Sequence, residues 1–308
     1  MIFGGMRVPT GSADKKILNT KRFTPTGQCG GGCINQGETY DTDNGQVFVK
    51  SNFKDGAKQM FEGEFASLEA IRATGAVRVP KPLHVVVSET GHGAALVMEA
   101  LDMVSWERNP YDLGRQLANL HRHNQILIEK NDPSAVRRFG FHITTCCGFL
   151  PLDNTWKDDW IDFYVNNRIE PQIKLLENKG EDTGIREIWA RAIDDLPRLF
   201  ENVSVIPSLL HGDLWSGNTA EVEGELVIFD PGSFYGHSEF DFGIIKMFGG
   251  FNHSFYDGYR KVIPEEEGFD GRCDLYELFH QLNHWNHFGS GYKRSSIELL
   301  RRLSDQDV

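Results

Sequence analysis

The stretch His211-Gly212-Asp213-Leu214-Trp215-Ser216-Gly217-Asn218 places a carboxylate and a carboxamide five residues apart, and Asp230 closes the apolar run Leu226-Val227-Ile228-Phe229 twelve residues further on. A loop aspartate can accept the proton of an attacking hydroxyl, while an asparagine and a second aspartate supply the hard oxygens that Mg²⁺ requires. That trio at that spacing matches phosphoryl transfer from ATP to an alcohol, with Asp213 as base and Asn218 and Asp230 as metal ligands. Alone, the loop would also pass as an Asx-rich turn. Its companions elsewhere in the chain decide between the two.

The chemistry also needs groups that set the phosphates. Gly27-Gln28-Cys29-Gly30-Gly31-Gly32-Cys33 precedes a hairpin, and Gly30, Gly31 and Gly32 are candidates to close backbone N–H groups over phosphates, although a flexible connector would read the same way. Lys50 ends the alternating run Val47-Phe48-Val49-Lys50 and so belongs to a strand. Glu64 falls inside the apolar stripe Ala57, Met60, Phe61, Phe65, Leu68, Ile71, where an acid is costly unless it meets a cation or snorkels to solvent. A strand lysine and a helix glutamate are the pair that positions α- and β-phosphates in a kinase-like lobe.

These residues need elements to hold them. A hairpin about Asp43-Asn44-Gly45, a helix over 55–74 stopped by Gly75, and strands over 83–88 and 94–100 make a small strand-rich lobe, residues 1–101, whose first eleven residues read as a mobile tail. From 102 to 308 the pattern turns helical, with helices expected over 112–129, 156–178, 184–200, 238–249, 272–287 and 295–303. The fold class is α+β with two lobes.

Composition limits the function classes. The 308 residues carry 32 Lys+Arg against 44 Asp+Glu, a formal charge of -12, with 40% hydrophobic residues. No block of basic residues offers a field to nucleic acid or a membrane surface, and no apolar run approaches the roughly 20 residues of a membrane span. Met1 to Thr10 lacks a secretory pattern, so a cytosolic protein is expected. Five cysteines without C-x-x-C spacing give neither a disulfide framework nor a structural zinc site; the adjacent Cys146 and Cys147 read as small semi-buried residues. His280, His284 and His287 share one helix face without an acid or cysteine beside them, which disfavours zinc there.

Taken together, His211 to Asn218, Phe229-Asp230-Pro231, Phe234 to Glu239, Met247 to Phe251, Asn283-His284-Trp285-Asn286-His287-Phe288-Gly289, Gly31-Gly32-Cys33-Ile34 and Met60-Phe61-Glu62-Gly63-Glu64 resemble the fructosamine/ketosamine-3-kinase family from about residue 27 onward. The resemblance implies a protein-kinase-like fold related to aminoglycoside phosphotransferases. It also implies ATP and Mg²⁺ as cofactors, and phosphorylation of the third-carbon hydroxyl of ketosamines, free or on glycated proteins, as a deglycation step. Phe288-Gly289-Ser290-Gly291-Tyr292 and Gly31 to Ile34 look more like the ketosamine than the fructosamine branch.

By position, the resemblance makes Asp213 the base, Asn218 and Asp230 the metal ligands and Lys50 with Glu64 the phosphate-positioning pair. It makes Met98, Glu99 and Leu101 part of the adenine-facing hinge. Trp215 reads either as a ring for the sugar–amine adduct or as a brace for the loop, and His284 as a hydrogen-bonding partner of the substrate. The family cysteine at Cys33 can join two subunits by a disulfide, and a phosphate-binding glycine loop would favour its thiolate, so a redox-sensitive homodimer is expected. Two other readings stay open: a hydroxyl kinase for aminoglycosides or choline, and a non-catalytic nucleotide-binding redox sensor.

Overall fold

Five strands form one antiparallel sheet in the order β1-β2-β3-β5-β4: β1 (Phe23–Gly30), β2 (Gln36–Thr42), β3 (Gly45–Asn52), β4 (Pro82–Val87) and β5 (Ala94–Glu99). The computed structural model describes residues 18–30, 34–88, 92–106, 109–181 and 184–304; the tail expected at 1–11 and the candidate residues Gly31, Gly32 and Cys33 lie outside the described residues. Part of the glycine cluster expected to be a loop is instead strand. β1 runs through Gly30, which pairs with Gly37, and the register shifts between Pro25 and Cys29, around the positive φ of Gly27.

The period-two alternation of β3 sorts its residues between two layers. Val47 and Val49 join Tyr40, Val86, Ala95 and Val97 in a small cluster on one face. Phe48 and Lys50 point to the other, registered against Met98 and Leu96 of β5. That face is covered by helix α1 (Ala57–Thr74), whose three-and-four spacing buries Met60, Phe61, Glu64, Leu68 and Ile71, and which ends on the left-handed Gly75 donating its N–H to Arg72 O.

Two contacts tie α1 to the helical lobe. A Cβ at Gly63 would lie 2.5 Å from Thr144 O, so only glycine lets the helix approach this closely. One turn later the fully buried Ser67 hydroxyl donates to Gly63 O (2.8 Å) and accepts the Ser233 N–H (3.0 Å).

The second lobe holds helices α2 (Pro110–Glu129), α3 (Trp160–Tyr164), α4 (Glu170–Asn178), α5 (Ile185–Asp195), α6 (Asp241–Phe248), α7 (His253–Arg260), α8 (Phe269–Phe288) and α9 (Lys293–Ser304). Small hairpins β6 (Thr145–Cys147) with β7 (Leu150–Leu152) and β9 (Thr219–Val222) with β10 (Glu225–Ile228), and the short pair β8 (Ser208–Leu209) with β11 (Tyr235–Gly236), sit between the helices and the sheet. The helix expected over 156–178 starts only at Trp160 and widens into a π turn at Val165–Ile169. That turn carries the fully buried Arg168, which donates to Asp153 O, Asn167 O and Asn154 Oδ1 and lies over the Phe234 ring at 3.9 Å. Helix α7 was not anticipated. No described helix is long and apolar enough to cross a membrane.

Candidate active site

Lys50 and Glu64 meet where β3 faces α1. The ammonium donates to Glu64 Oε1 and Oε2 at 2.9 Å each, and lies 2.8 Å from Asp230 Oδ1. Burial opposes the charge on Lys50, yet the carboxylates of Asp230 and Glu64 outweigh it and hold the ammonium above its ordinary value. Glu64 is also raised, by burial first, with the charge of Asp230 adding to it against the pull of Lys50. The acid in the apolar stripe therefore meets a cation rather than solvent. Asp230 follows β10 with φ 59°, a left-handed backbone that aspartate tolerates better than most residues, and this turns its carboxylate toward Lys50.

The loop between β8 and β9 carries Asp213. Its frame is a fully buried carboxylate to which sequence reasoning assigned no role: Asp241, at the start of α6, accepts the N–H groups of His211 (2.9 Å) and Gly212 (2.8 Å) and is bonded to His121 Nε2 (3.0 Å). His121 Nδ1 in turn meets the Tyr259 hydroxyl at 2.8 Å. Gly212, at φ 85°, has no room for a Cβ, which would lie 2.3 Å from Gly232 O. His211 accepts the Asp213 N–H at Nδ1 and so donates from Nε2 to Phe229 O, joining the loop to the strand end before Asp230. Burial holds His211 below its ordinary value, which keeps this neutral tautomer.

Asp213 is pushed up to about 7, by burial first and then by the charges of Asp230 and Asp241. A carboxyl poised near neutrality can take a proton without holding it too tightly. Asn218 donates from Nδ2 to Asp213 O (2.8 Å), so its Oδ1 remains for another partner; Asp230 likewise spends Oδ1 on Lys50 and keeps Oδ2. Two hard oxygens in the wall of one acidic cavity fit Mg²⁺. Lys50 is the single Lys or Arg against Glu64, Asp213 and Asp230 in the cavity wall among the described residues, so a triphosphate would meet repulsion there without cations to offset it.

Lys50, Glu64, Asp213, Asn218 and Asp230 line one cavity of about 530 Å³. Trp215, Phe248, His284, Phe288 and Tyr292 make its aromatic side, with Trp215 tilted on Phe248 at 5.2 Å and His284 between Phe248 (5.2 Å) and Tyr292 (5.2 Å). His284 donates from Nδ1 to His280 O, leaving Nε2 as an acceptor in the cavity wall. The three histidines do not converge on one another: His287 donates from Nδ1 to Asn283 O and accepts the Phe149 N–H at Nε2. The expectation that no acid or cysteine stands beside them does not hold for His280, which packing brings next to Cys147 and Asp213. Gly30, Met98, Glu99 and Leu101 are not part of this wall. Met98 is buried on the Lys50 face of β5, while Glu99 pairs with Arg78 at 3.1 Å and accepts the Lys81 N–H.

The fructosamine kinase family profile matches residues 12–306. A mouse ketosamine-3-kinase is 49% identical over 304 residues, covering 94% of this chain and 98% of the relative. A chloroplastic protein-ribulosamine 3-kinase of Arabidopsis thaliana is 42% identical over 280 residues, covering 91% and 82%. Among solved structures, a candidate fructosamine-3-kinase from Haemophilus somnus 129PT superposes with TM-score 0.80 at 22% identity over 94% of both chains. A thermostable mutant of aminoglycoside phosphotransferase APH(4)-Ia, in ternary complex with ADP and hygromycin B, superposes with TM-score 0.59 at 13% identity over 98% of this chain and 100% of that one. These matches bear out the expected two-lobe, aminoglycoside-phosphotransferase-like fold, and the chain belongs to the fructosamine kinase family.

Proposed function

We propose that the protein is an ATP- and Mg²⁺-dependent kinase that phosphorylates the third-carbon hydroxyl of ketosamines, free or on glycated proteins. The observation that carries this is one cavity with the Lys50–Glu64–Asp230–Asn218–Asp213 constellation on one side and an aromatic wall on the other. The names of the mouse and Arabidopsis relatives support the acceptor class.

In this reading Lys50, held by Glu64, meets the α- and β-phosphates. Asp213 accepts the hydroxyl proton as the acceptor oxygen bonds to the γ-phosphorus and the bond from that phosphorus to the β–γ bridging oxygen breaks, ADP being the leaving group; His211, Asp241 and Asn218 fix the backbone that aims Asp213. Mg²⁺ held by Asn218 and Asp230 would offset phosphate charge. His284 Nε2 is available to accept a sugar hydroxyl. The cytosolic setting and the Cys33-linked homodimer belong to this proposal; a non-reducing gel that shows the same dimer in Cys33→Ala would remove the latter.

Incubation with ATP, Mg²⁺ and fructose-, ribulose- and psicose-lysine adducts, with the phosphate located by NMR, tests the reading. Phosphate at the third carbon is expected, with ribulose and psicose adducts preferred. Turnover of aminoglycosides or choline instead would replace the acceptor class, and binding of ATP without turnover of any acceptor would leave the sensor reading.

Trp215 both lines the cavity and covers Gly217, where an added Cβ would lie 2.3 Å from the indole. Trp215→Ala should raise the ketosamine KM more than the ATP KM if the ring carries the acceptor. Equal changes in both constants would assign it to bracing the loop.

A further inference from the structure

His280 is fully buried in the middle of α8, and neither ring nitrogen has a hydrogen-bond partner. The histidines one and two turns on each donate to the carbonyl four residues before them; His280 does not. Leaving a buried imidazole unpaired is costly, so its surroundings call for an explanation. They contain Cys147 from β6 and Asp213 from the loop after β8. The Cys147 Sγ, an Asp213 carboxylate oxygen and a His280 nitrogen all lie within 4.8 Å of one another.

One thiol, one imidazole and one carboxylate make a donor set for zinc, whereas Mg²⁺ and Ca²⁺ prefer oxygen alone. Zinc–ligand bonds of about 2.0–2.3 Å set tetrahedral donors roughly 3.3–3.7 Å apart, so binding would draw the three donors together by up to about 1–1.5 Å. Cys147 and Asp213 belong to the wall of the active-site cavity, which supplies the way in and a fourth ligand position for water, while His280 closes the site from behind. The charge of Asp241 acts on both Asp213 and His280 and favours a cation. Burial first, and then the Asp213 charge, push the Cys147 thiol well above its ordinary value against the weaker pull of Arg168, so the thiol stays protonated until a cation takes the sulfur. The Cys147 thiol is free.

We propose that Cys147, Asp213 and His280 form an inhibitory zinc site loaded from the active-site cavity. On binding, the Cys147 S–H bond breaks, its proton leaves to solvent, and the sulfur lone pair forms the bond to Zn²⁺. His280 contributes its neutral nitrogen and Asp213 one carboxylate oxygen. Asp213 is then no longer available to take the hydroxyl proton. Binding stands on the geometry alone; inhibition rests on the role proposed for Asp213.

The test uses the full-length protein freed of metal, without nucleotide. Added Co²⁺ should give a thiolate-to-cobalt charge-transfer band with the visible absorption of a tetrahedral site, and one equivalent of Zn²⁺ should remove both. Cys147→Ser should abolish the band, Cys29→Ser and Cys146→Ser should keep it, and His280→Gln should weaken Zn²⁺ binding by about tenfold or more. At saturating Mg²⁺, Zn²⁺ should inhibit turnover reversibly on addition of a zinc-selective chelator. No thiolate band in the wild type, or a band that survives in Cys147→Ser, overturns the site without recourse to any variant's activity. A band with turnover unchanged by Zn²⁺ overturns the inhibition and counts against Asp213 as base, while leaving the metal site in place.

Discussion

Asp213→Asn is expected to lower turnover by about 10²-fold or more while ATP binding persists, because it deletes the proton acceptor and preserves the shape of the loop. The same change should stabilise the fold at alkaline pH. The Asp213 carboxyl titrates near 7 in the folded chain against 3.8 when unperturbed, burial being the main cause. A carboxyl raised in this way favours folding fully below its unfolded value and loses that contribution as the pH climbs through the folded value. Above about 7 the buried charge costs about 1–3 kcal/mol, allowing for its partial exposure to the cavity. Metal-free Asp213→Asn should therefore melt above the wild type near about pH 8, the gap closing toward about pH 4. Near-normal turnover would remove Asp213 from the base role, and equal melting at alkaline pH would mean that its charge is held without cost.

The second large effect is expected at the buried ion pair. Lys50→Met leaves Glu64 and Asp230 facing each other without a cation, a loss of about 3–5 kcal/mol in stability and of the phosphate-positioning ammonium. Glu64→Ala is expected to be milder for stability, since Lys50 keeps Asp230 at 2.8 Å, but to damage the same catalytic step. Together the two substitutions should cost much less in ΔΔG‡ than the sum of the single losses, because each removes an interaction the other needs. Strict additivity in single-turnover rates would mean that Lys50 and Glu64 do not act as a pair.

How much of this was legible in the chain follows from the range of each signal. Glu64 stood out because helical spacing is local: four residues on either side define the stripe it interrupts. Asp213, Asn218 and Asp230 were legible because their chemistry sits within eighteen residues. Asp241 was not, since its partner His121 is 120 residues away and nothing in Glu239-Phe240-Asp241 distinguishes a loop anchor from a helix N-terminal acid. Cys147 and His280 were each read alone; their meeting at Asp213 was not legible, since 133 residues separate them and only tertiary packing joins them. The eight-residue helix α7 is too short for its period to show, and the π turn at Val165–Ile169 hides inside an otherwise regular helical pattern.

In many protein kinases the helix that bears the glutamate swings in and out, and its position decides whether the enzyme is on. Here that helix has little freedom to swing. Ser67 binds it to the backbone just beyond Asp230, and Gly63 seats it against Thr144 closely enough that no side chain fits between. Moving α1 away would break the Lys50–Glu64 pair and expose a buried hydroxyl together with the N–H it satisfies. A lobe seated this way keeps the Lys50–Glu64 pair formed without any helix movement, so control of the site would have to act on the groups in the cavity rather than on the position of α1.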